Sequence, residues 1–198
     1  MAKTIEGPRL GFGGKRGREM IGLRLETERL LLRPTAAEDL DGWAELMADP
    51  ESSRFIGGTV PRAAAWRGMA TMAGSWALKG FGMFSVIEKA SGRWIGRVGP
   101  WQPEEWPGTE VGWGLLKSAW GRGYAVEAAA ASIDWAFDTL GWDDVIHCID
   151  PDNAASIAVA ERLCASNRSA GKLPPPFESY PIDIWGQTRK EWRSSRRG

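Results

Sequence analysis

The chain has 198 residues, of which 43% are hydrophobic and 25% charged, and its formal net charge is zero. This length is enough for one domain with a buried core, while the balanced charge favours neither nucleic acid nor an anionic membrane as a partner. One histidine and two cysteines without metal-ligand spacing predict no metal site. Because no apolar stretch has the length of a membrane span and the N-terminus lacks the apolar core of a signal peptide, the sequence predicts a cytoplasmic protein.

The composition divides the chain into three parts. Residues 1–20 combine glycines with scattered lysines and arginines and predict a flexible tail. Regular patterning begins at residue 21 and predicts a single domain over 21–192. Residues 193–198 are basic and predict a frayed C-terminal tail.

The first predicted elements are a strand and two helices. The alternation over Leu23–Arg33 predicts a strand or a short hairpin. Thr35, with Glu38 three residues later, predicts a capping box at the start of a helix over 36–48. A second helix is predicted over 61–79, beginning with a proline.

Strand signals dominate the middle of the chain, over 81–88, 94–99 and 110–116. Consecutive strands of this kind pair antiparallel. The later predicted elements are a helix over 125–140, a strand over 145–149, a helix over 154–165 and one or two strands within Ile182–Trp185 and Thr188–Trp192. The strand–helix–strand order there implies one parallel crossover. The sequence therefore predicts a mixed α/β fold: a mostly antiparallel sheet of about six or seven strands with helices on both faces.

A glycine turn separates the third of those strands from the helix that follows, in the sequence Ser118-Ala-Trp-Gly-Arg-Gly-Tyr-Ala-Val-Glu-Ala128. The N–H groups of a helix's first turn have no intrahelical acceptor, and the positive end of the helix dipole lies there too. A phosphate or pyrophosphate suits that position. The spacing is not the GxGxxG of a dinucleotide-binding unit, and a pair of glycines alone also fits a plain structural turn.

Three blocks, in this order, resemble the GNAT superfamily of N-acyltransferases, and most closely its RimJ/RimL branch. They are Leu25–Pro34, Trp120–Glu127, and Asp150–Ser156 followed by Glu161–Leu163. The resemblance implies the GNAT fold, in which the sheet splays open, and acetyl-CoA as co-substrate without a metal. It also allows a homodimer.

Within that resemblance, each block has an expected role toward the cofactor. Backbone N–H groups of the glycine turn would hold the pyrophosphate, with Arg122 adding charge or facing solvent. The backbone of the preceding strand would pair with the pantetheine, while Asn153 and Ser156 would lie near the pantetheine and the sulfur, Asn153 also being a good helix N-cap. The cofactor-binding residues expected on this basis are Val111, Trp113, Leu115, Trp120, Gly121, Arg122, Gly123, Tyr124, Ala125, Asn153 and Ser156.

Two residues are candidates for the chemistry. Glu110 matches the position where several family members carry a catalytic carboxylate, although a strand-end glutamate in solvent is an equal alternative. The tyrosine that often serves the family as general acid is replaced by Ala160, which leaves Ser156 or water for that role. His147 is interpreted as a core histidine with satisfied hydrogen bonds. Trp101, Trp106 and Trp113 hint at an apolar or aromatic-lined acceptor site.

The resemblance implies an acetyl-CoA-dependent N-acetyltransferase. The acceptor would be a primary amine, either a protein N-terminus or a small molecule, attacking directly in a ternary complex. The replacement at Ala160 motivates an alternative, a non-catalytic acyl-CoA-binding module. A nucleic-acid-binding function, suggested only by the basic tails, is opposed by the neutral charge and the lack of a recognition motif.

Overall fold

The computed structural model describes residues 23–196, so the predicted tail over 1–20 lies outside the described residues. The strands are β1 (Leu25–Glu26), β2 (Leu30–Pro34), β3 (Phe84–Glu88), β4 (Trp94–Trp101), β5 (Glu110–Leu115), β6 (Asp144–Ile149), β7 (Ser166–Gly171) and β8 (Ile182–Thr188). The helices are α1 (Leu40–Ala48), α2 (Arg62–Lys79), α3 (Tyr124–Trp135), α4 (Ala154–Arg162) and α5 (Arg189–Ser195). None of these helices is both long and apolar enough to cross a membrane.

All eight strands form one sheet in the order β1-β2-β3-β4-β5-β6-β8-β7. Every neighbouring pair is antiparallel except β5 and β6, which are parallel. That parallel pair shares a single registered position, Glu110 beside Ile146, and then separates. The predicted mixed, splayed sheet is confirmed, with more strands than expected.

The two faces of the sheet carry different layers. The larger core contains Val98 and Val111 of the sheet together with Ala128 and Ile133 of α3. A smaller cluster on the other side joins Trp43 of α1 and Met72 of α2 to Met83 before β3. Helices therefore cover both faces, and the gap between β5 and β6 opens between those layers.

The first helix is capped differently from the prediction. A 3-10 turn at Ala37–Asp39 precedes α1, and the carboxylate that accepts from the Ala36 N–H (2.8 Å) belongs to Asp39. Asp39 is buried, with Arg33 as its ion-pair partner at 2.7 Å. The Thr35 hydroxyl has no hydrogen-bond partner within the described residues, so the predicted Thr35 cap is wrong. Asp39 accepts this hydrogen bond instead of Thr35 because its buried ion pair with Arg33, across the β2–α1 connection, fixes its carboxylate.

The C-terminal region contains two elements that patterning assigned incorrectly. Thr188–Trp192 is not a strand, because Thr188 and Glu191 form a capping box that begins α5. That helix runs to Ser195, so residues 193–195 are helical rather than a frayed tail. The polar segment 166–171, which carries no strand signal, forms edge strand β7 because the open edge of β8 supplies its hydrogen bonds.

Candidate active site

Two cavities meet at the place where β5 and β6 separate. One, of about 680 Å³, lies among α1, α2, the sheet and the loop before β8. The other, of about 720 Å³, runs along the glycine turn and α4. The residues that line both are Phe55, Ile56, Trp113, Asn153 and Ser156. An acyl group held at that junction would be reachable from both sides, so we call the first the acceptor cavity and the second the cofactor groove.

The glycine turn has the geometry that an anion cradle requires. Gly121 and Gly123 adopt φ of +71° and +79°, the left-handed region that a residue with a Cβ enters only with strain. The first helical bond of α3 runs from the Glu127 N–H to the Gly123 carbonyl at 3.1 Å. The N–H groups just before Glu127 therefore have no helical acceptor and face the groove with the positive end of the helix dipole.

Strand β5 presents alternate backbone groups to the gap. The Leu116 N–H donates to Ile95 on β4 at 2.9 Å, whereas the Val111 carbonyl accepts from His147 on β6. Since successive residues of a strand alternate in direction, Trp113 and Leu115 also turn their N–H and C=O groups toward the gap. An extended pantetheine arm would find strand-like partners there.

Glu110, at the start of β5, is buried at 7% exposure. Its Oε2 accepts from the Trp106 indole N–H at 2.5 Å, and its Oε1 faces the Cys148 backbone N–H at 3.4 Å. Burial raises the pKa of Glu110 to about 7, and the Trp106 and Cys148 hydrogen bonds oppose that rise. The solvated-carboxylate alternative is therefore wrong. A carboxylate that is half ionised near neutral pH suits a general base.

Ser156 and Asn153 stand on the opposite wall, at the start of α4. The Asn153 side chain accepts from the Ser156 N–H at 3.1 Å and caps that helix. The Ser156 hydroxyl accepts from the Trp113 indole N–H at 3.1 Å, which leaves its own proton free to donate. Ala160, by contrast, is fully buried beside Ile149 and takes no part in the groove.

His147 of β6 bridges the two separating strands through a hydrogen bond to β5. Its Nδ1 lies 2.6 Å from the Val111 carbonyl oxygen, so Nδ1 carries a proton and donates. Nε2 is then an acceptor, and the Gln187 side-chain amide lies 3.3 Å from it. With its NH₂ group turned toward the ring, Gln187 donates to Nε2. This orientation also gives the Gln187 nitrogen, which otherwise has no partner among the described residues, a hydrogen bond. Burial lowers the pKa of His147 to about 4, so the ring is neutral at physiological pH. The interpretation as a satisfied core histidine agrees with these contacts.

Not every expected cofactor residue turns its side chain to the groove. The groove lining includes Trp113, Leu115, Trp120, Gly121, Gly123, Tyr124, Ala125, Asn153 and Ser156. Val111 lines the acceptor cavity instead. The Arg122 side chain is 52% exposed, its guanidinium pairs with Glu88 at 2.9 Å, and it does not line the groove. The Tyr124 hydroxyl also donates to Glu88 at 2.5 Å, and only its backbone suits the cofactor.

Two side chains of the acceptor cavity were missed by sequence reasoning. The sequence suggested Trp106 only as part of an aromatic acceptor site, whereas its indole N–H donates directly to Glu110. Arg97 of β4 lines the cavity beside Trp43 and Met83 and carried no sequence signal. Strand alternation could have placed Arg97 and Glu110 on one face had the β4–β5 register been known.

Comparisons with known proteins agree with this arrangement. Residues 29–165 match the Acetyltransferase (GNAT) domain family. The uncharacterized N-acetyltransferase p20 of Bacillus licheniformis is 32% identical over 142 residues, which are 70% of this chain and 80% of that protein. The crystal structure of an acetyltransferase from Agrobacterium tumefaciens superposes with a TM-score of 0.73 at 30% identity, over 93% of this chain and all of that one.

A more distant structure shares the fold alone. It is the ribosomal-protein-S5-alanine acetyltransferase from Vibrio fischeri, with a TM-score of 0.63 and 17% identity over 86% of this chain and 98% of that chain. The family match spans well over half of the sequence and includes β5, the glycine turn and α4. The chain therefore belongs to the GNAT acetyltransferase family and is an acyltransferase enzyme.

Proposed function

We propose that this enzyme transfers an acetyl group from acetyl-CoA to a primary amine by direct attack within a ternary complex. The observation that carries the proposal is Glu110, a buried carboxylate with a pKa of about 7 on the acceptor side of the junction. An attacking amine must be neutral, and free primary amines have pKa values of roughly 8 to 10.4. A base at this position makes the amine reactive at neutral pH.

The residues divide the proton transfers between them. Acetyl-CoA supplies an acetyl group activated as a thioester. As the acceptor nitrogen bonds to the acetyl carbon and the carbon–sulfur bond breaks, Glu110 takes the proton that the nitrogen loses. The Ser156 hydroxyl donates to the leaving sulfur and is reprotonated from water, and backbone N–H groups of β5 that face the gap stabilise the oxyanion. Glu110 then gives its proton to solvent, which offsets the proton that Ser156 takes from water, and the thioester's electron pair leaves with the sulfur. The transfer therefore balances without an acyl-enzyme.

Cys148 supports direct attack rather than a covalent route. It is the cysteine nearest the base, since its backbone N–H faces Glu110 at 3.4 Å. Burial raises the pKa of its thiol far above the ordinary value, with the charge of Glu110 adding to the effect. A thiol that stays protonated is a poor nucleophile. The amine is therefore the group that attacks.

The finer assignments follow the family resemblance. We place the chain in the RimJ/RimL branch because of the three sequence blocks that resemble it, Leu25–Pro34, Trp120–Glu127, and Asp150–Ser156 with Glu161–Leu163. The same proposal includes acetyl-CoA binding by the cofactor-groove residues and a domain over 21–192. It also includes a cytoplasmic location and a homodimer. The non-catalytic alternative rested on Ala160. The free Ser156 proton supplies the acid that it assumed was missing, beside Glu110 as the base.

The test combines acetyl-CoA binding by calorimetry with thiol release over a panel of primary amines. We expect Glu110→Gln to bind acetyl-CoA normally and to lower kcat by about 10²- to 10⁴-fold, because the amide cannot accept the proton. Ser156→Ala lowers kcat less, since water can replace the hydroxyl. The matched control is Glu104→Gln, another carboxylate of the acceptor cavity, which keeps its kcat. Binding of acetyl-CoA without turnover of any amine would contradict the proposal.

A further inference from the structure

Arg97 has no ion-pair partner inside the acceptor cavity among the described residues, and Glu110 is the carboxylate whose charge acts on its guanidinium at longer range. No carboxylate lies within 4 Å of its guanidinium among residues 23–196. Its Nε is buried without a hydrogen-bond partner, and its Nη1 reaches only the Met83 sulfur at 2.7 Å. The guanidinium packs 5.2 Å from the Trp43 ring, which fixes its plane. A partly buried guanidinium with free donors is costly unless an anion pairs with it.

The cavity places this cation on the same face as the base. Arg97 lies opposite Gly114 in the β4–β5 register, and Glu110 stands four residues earlier on β5. Glu110 Oε1 lies 3.1 Å from the Cβ position of Gly112, and Arg97 Nε lies 3.9 Å from that of Gly114. Because two strand residues rise roughly 6.6 Å, the carboxylate and the guanidinium face one space across a gap of that order.

That space suits a ligand with an amine and a carboxylate on neighbouring atoms. Each group would make a hydrogen bond of about 2.8 Å to its protein partner, so an α-amino acid spans the gap. Both intervening positions are glycines, and a Cβ at Gly112 would lie 2.6 Å from the Met83 methyl group. The Met83 side chain takes up that space and contacts Arg97 through its sulfur, and its flexibility lets the small charged end of a ligand displace it.

The charge and lining of the cavity point to the same class of molecule. Arg97 is the only lysine or arginine along its walls within the described residues, against three carboxylates, Glu104, Glu110 and Asp150. This balance favours an ammonium group and provides for one anion. The rest of the wall is largely apolar, with tryptophan, phenylalanine and methionine as its largest side chains, and favours an apolar side chain on the ligand.

We propose that the acceptor is a free apolar α-amino acid, whose carboxylate is bound by Arg97 while its amino group faces Glu110. The proposal rests on the proposed N-acetyltransferase function and narrows its substrate class. A guanidinium binds a carboxylate in two parallel hydrogen bonds. Within the described residues Arg97 Nη2 has no hydrogen-bond partner, and Nη1 contacts only the Met83 sulfur. A peptide N-terminus has an amide in place of that carboxylate and leaves the cation unpaired.

The experiment compares matched acceptors. Leucine, methionine, phenylalanine and tryptophan are each assayed beside their own amides and their decarboxylated amines, with acetyl-CoA saturating and thiol release as the readout. We expect kcat/KM to be about 10²-fold higher for at least one amino acid than for its amide, because the amide leaves a buried charge unpaired. Calorimetry of the same amino acid with CoA present measures its binding without turnover.

Two variants separate the carboxylate contact from general damage. Arg97→Gln removes the charge and is expected to lower kcat/KM for the amino acid about 10²-fold, with its amine analogue and acetyl-CoA binding unaffected. Arg62→Gln is the control, since it removes an exposed arginine that pairs with Asp41 outside both cavities. Thermal unfolding confirms that each variant is folded.

The outcomes distinguish the two proposals. Amides or simple amines turned over as well as the amino acids would overturn the carboxylate site and leave the N-acetyltransferase proposal standing. Equal amino-acid binding by wild type and Arg97→Gln, or no amino-acid binding at millimolar concentration, would also overturn it. Amino-acid binding that depends on Arg97, without any thiol release, would support the site and contradict the transferase chemistry.

Discussion

At the scale of single residues, burial decides what each titratable group does. Glu110 and His147 lie within one short stretch of the β5–β6 gap, yet burial raises the pKa of the first to about 7 and lowers that of the second to about 4. Burial disfavours the charged form of either group. The carboxylate therefore titrates near neutral pH, as the base that we propose requires, and the imidazole is a neutral structural bridge.

The raised pKa of Glu110 has a consequence for stability. Between the unfolded value of 4.5 and about 7, the folded protein holds a proton that the unfolded chain has lost. This contribution to stability is present below pH 4.5 and is lost as the pH rises toward 7. We expect the free energy of unfolding of Glu110→Gln relative to wild type to increase by up to about 3 kcal/mol between pH 4.5 and 8. Urea unfolding at several pH values measures it, and a pH-independent difference would contradict the buried carboxyl.

At the scale of elements, the junction of β5 and α3 is the part that sequence described best. Its signals are local, since glycines supply the positive φ values and the helix start supplies the free N–H groups. An ion pair between Arg29 and Glu127 at 2.6 Å then anchors α3 to the β1–β2 hairpin. Neighbouring residues therefore form the glycine turn, and the long-range Arg29–Glu127 ion pair fixes its position in the fold.

The turn can be tested with Gly123→Ala. A Cβ at φ +79° costs roughly 1–2 kcal/mol and would also lie 3.5 Å from the Arg29 guanidinium. We expect acetyl-CoA affinity to fall about tenfold, which corresponds to about 1.4 kcal/mol, because the N–H groups no longer converge. Gly92→Ala is the matched control, with φ +69° in open space away from both cavities. A similar loss of affinity in both variants would contradict a specific role for the turn.

At the scale of the whole molecule, the C-terminal helix completes the core rather than trailing from it. Trp192 of α5 is buried at 2% exposure among the residues of the main core, and its indole N–H donates to Asp134 of α3 at 2.8 Å. Arg193 adds an ion pair to the same carboxylate at 3.1 Å. The segment predicted as a strand and a frayed tail therefore packs against α3 and the main core.

Removing that side chain should destabilise the protein strongly. We expect Trp192→Ala to lower the free energy of unfolding by about 3–5 kcal/mol, the range for deleting a large aromatic group from a core. Trp66→Ala, which removes an indole that is 52% exposed, is expected to cost far less. Denaturant unfolding with matched buffers measures both. Equal midpoints for the two variants would show that α5 does not pack as described.

The sequence by itself determined the features that depend on nearby residues: the order of most strands and helices, the glycine turn, the Asn153 cap and the family. Periodicity, turn chemistry and capping involve residues a few positions apart, so they can be recognised in the sequence. Tertiary structure alone decided the cap at Asp39, the edge strand β7 and the helix α5, since distant partners supply their hydrogen bonds and packing. It also decided the raised pKa of Glu110 and the position of Arg97 beside it, because only burial and strand register bring these two groups into one cavity.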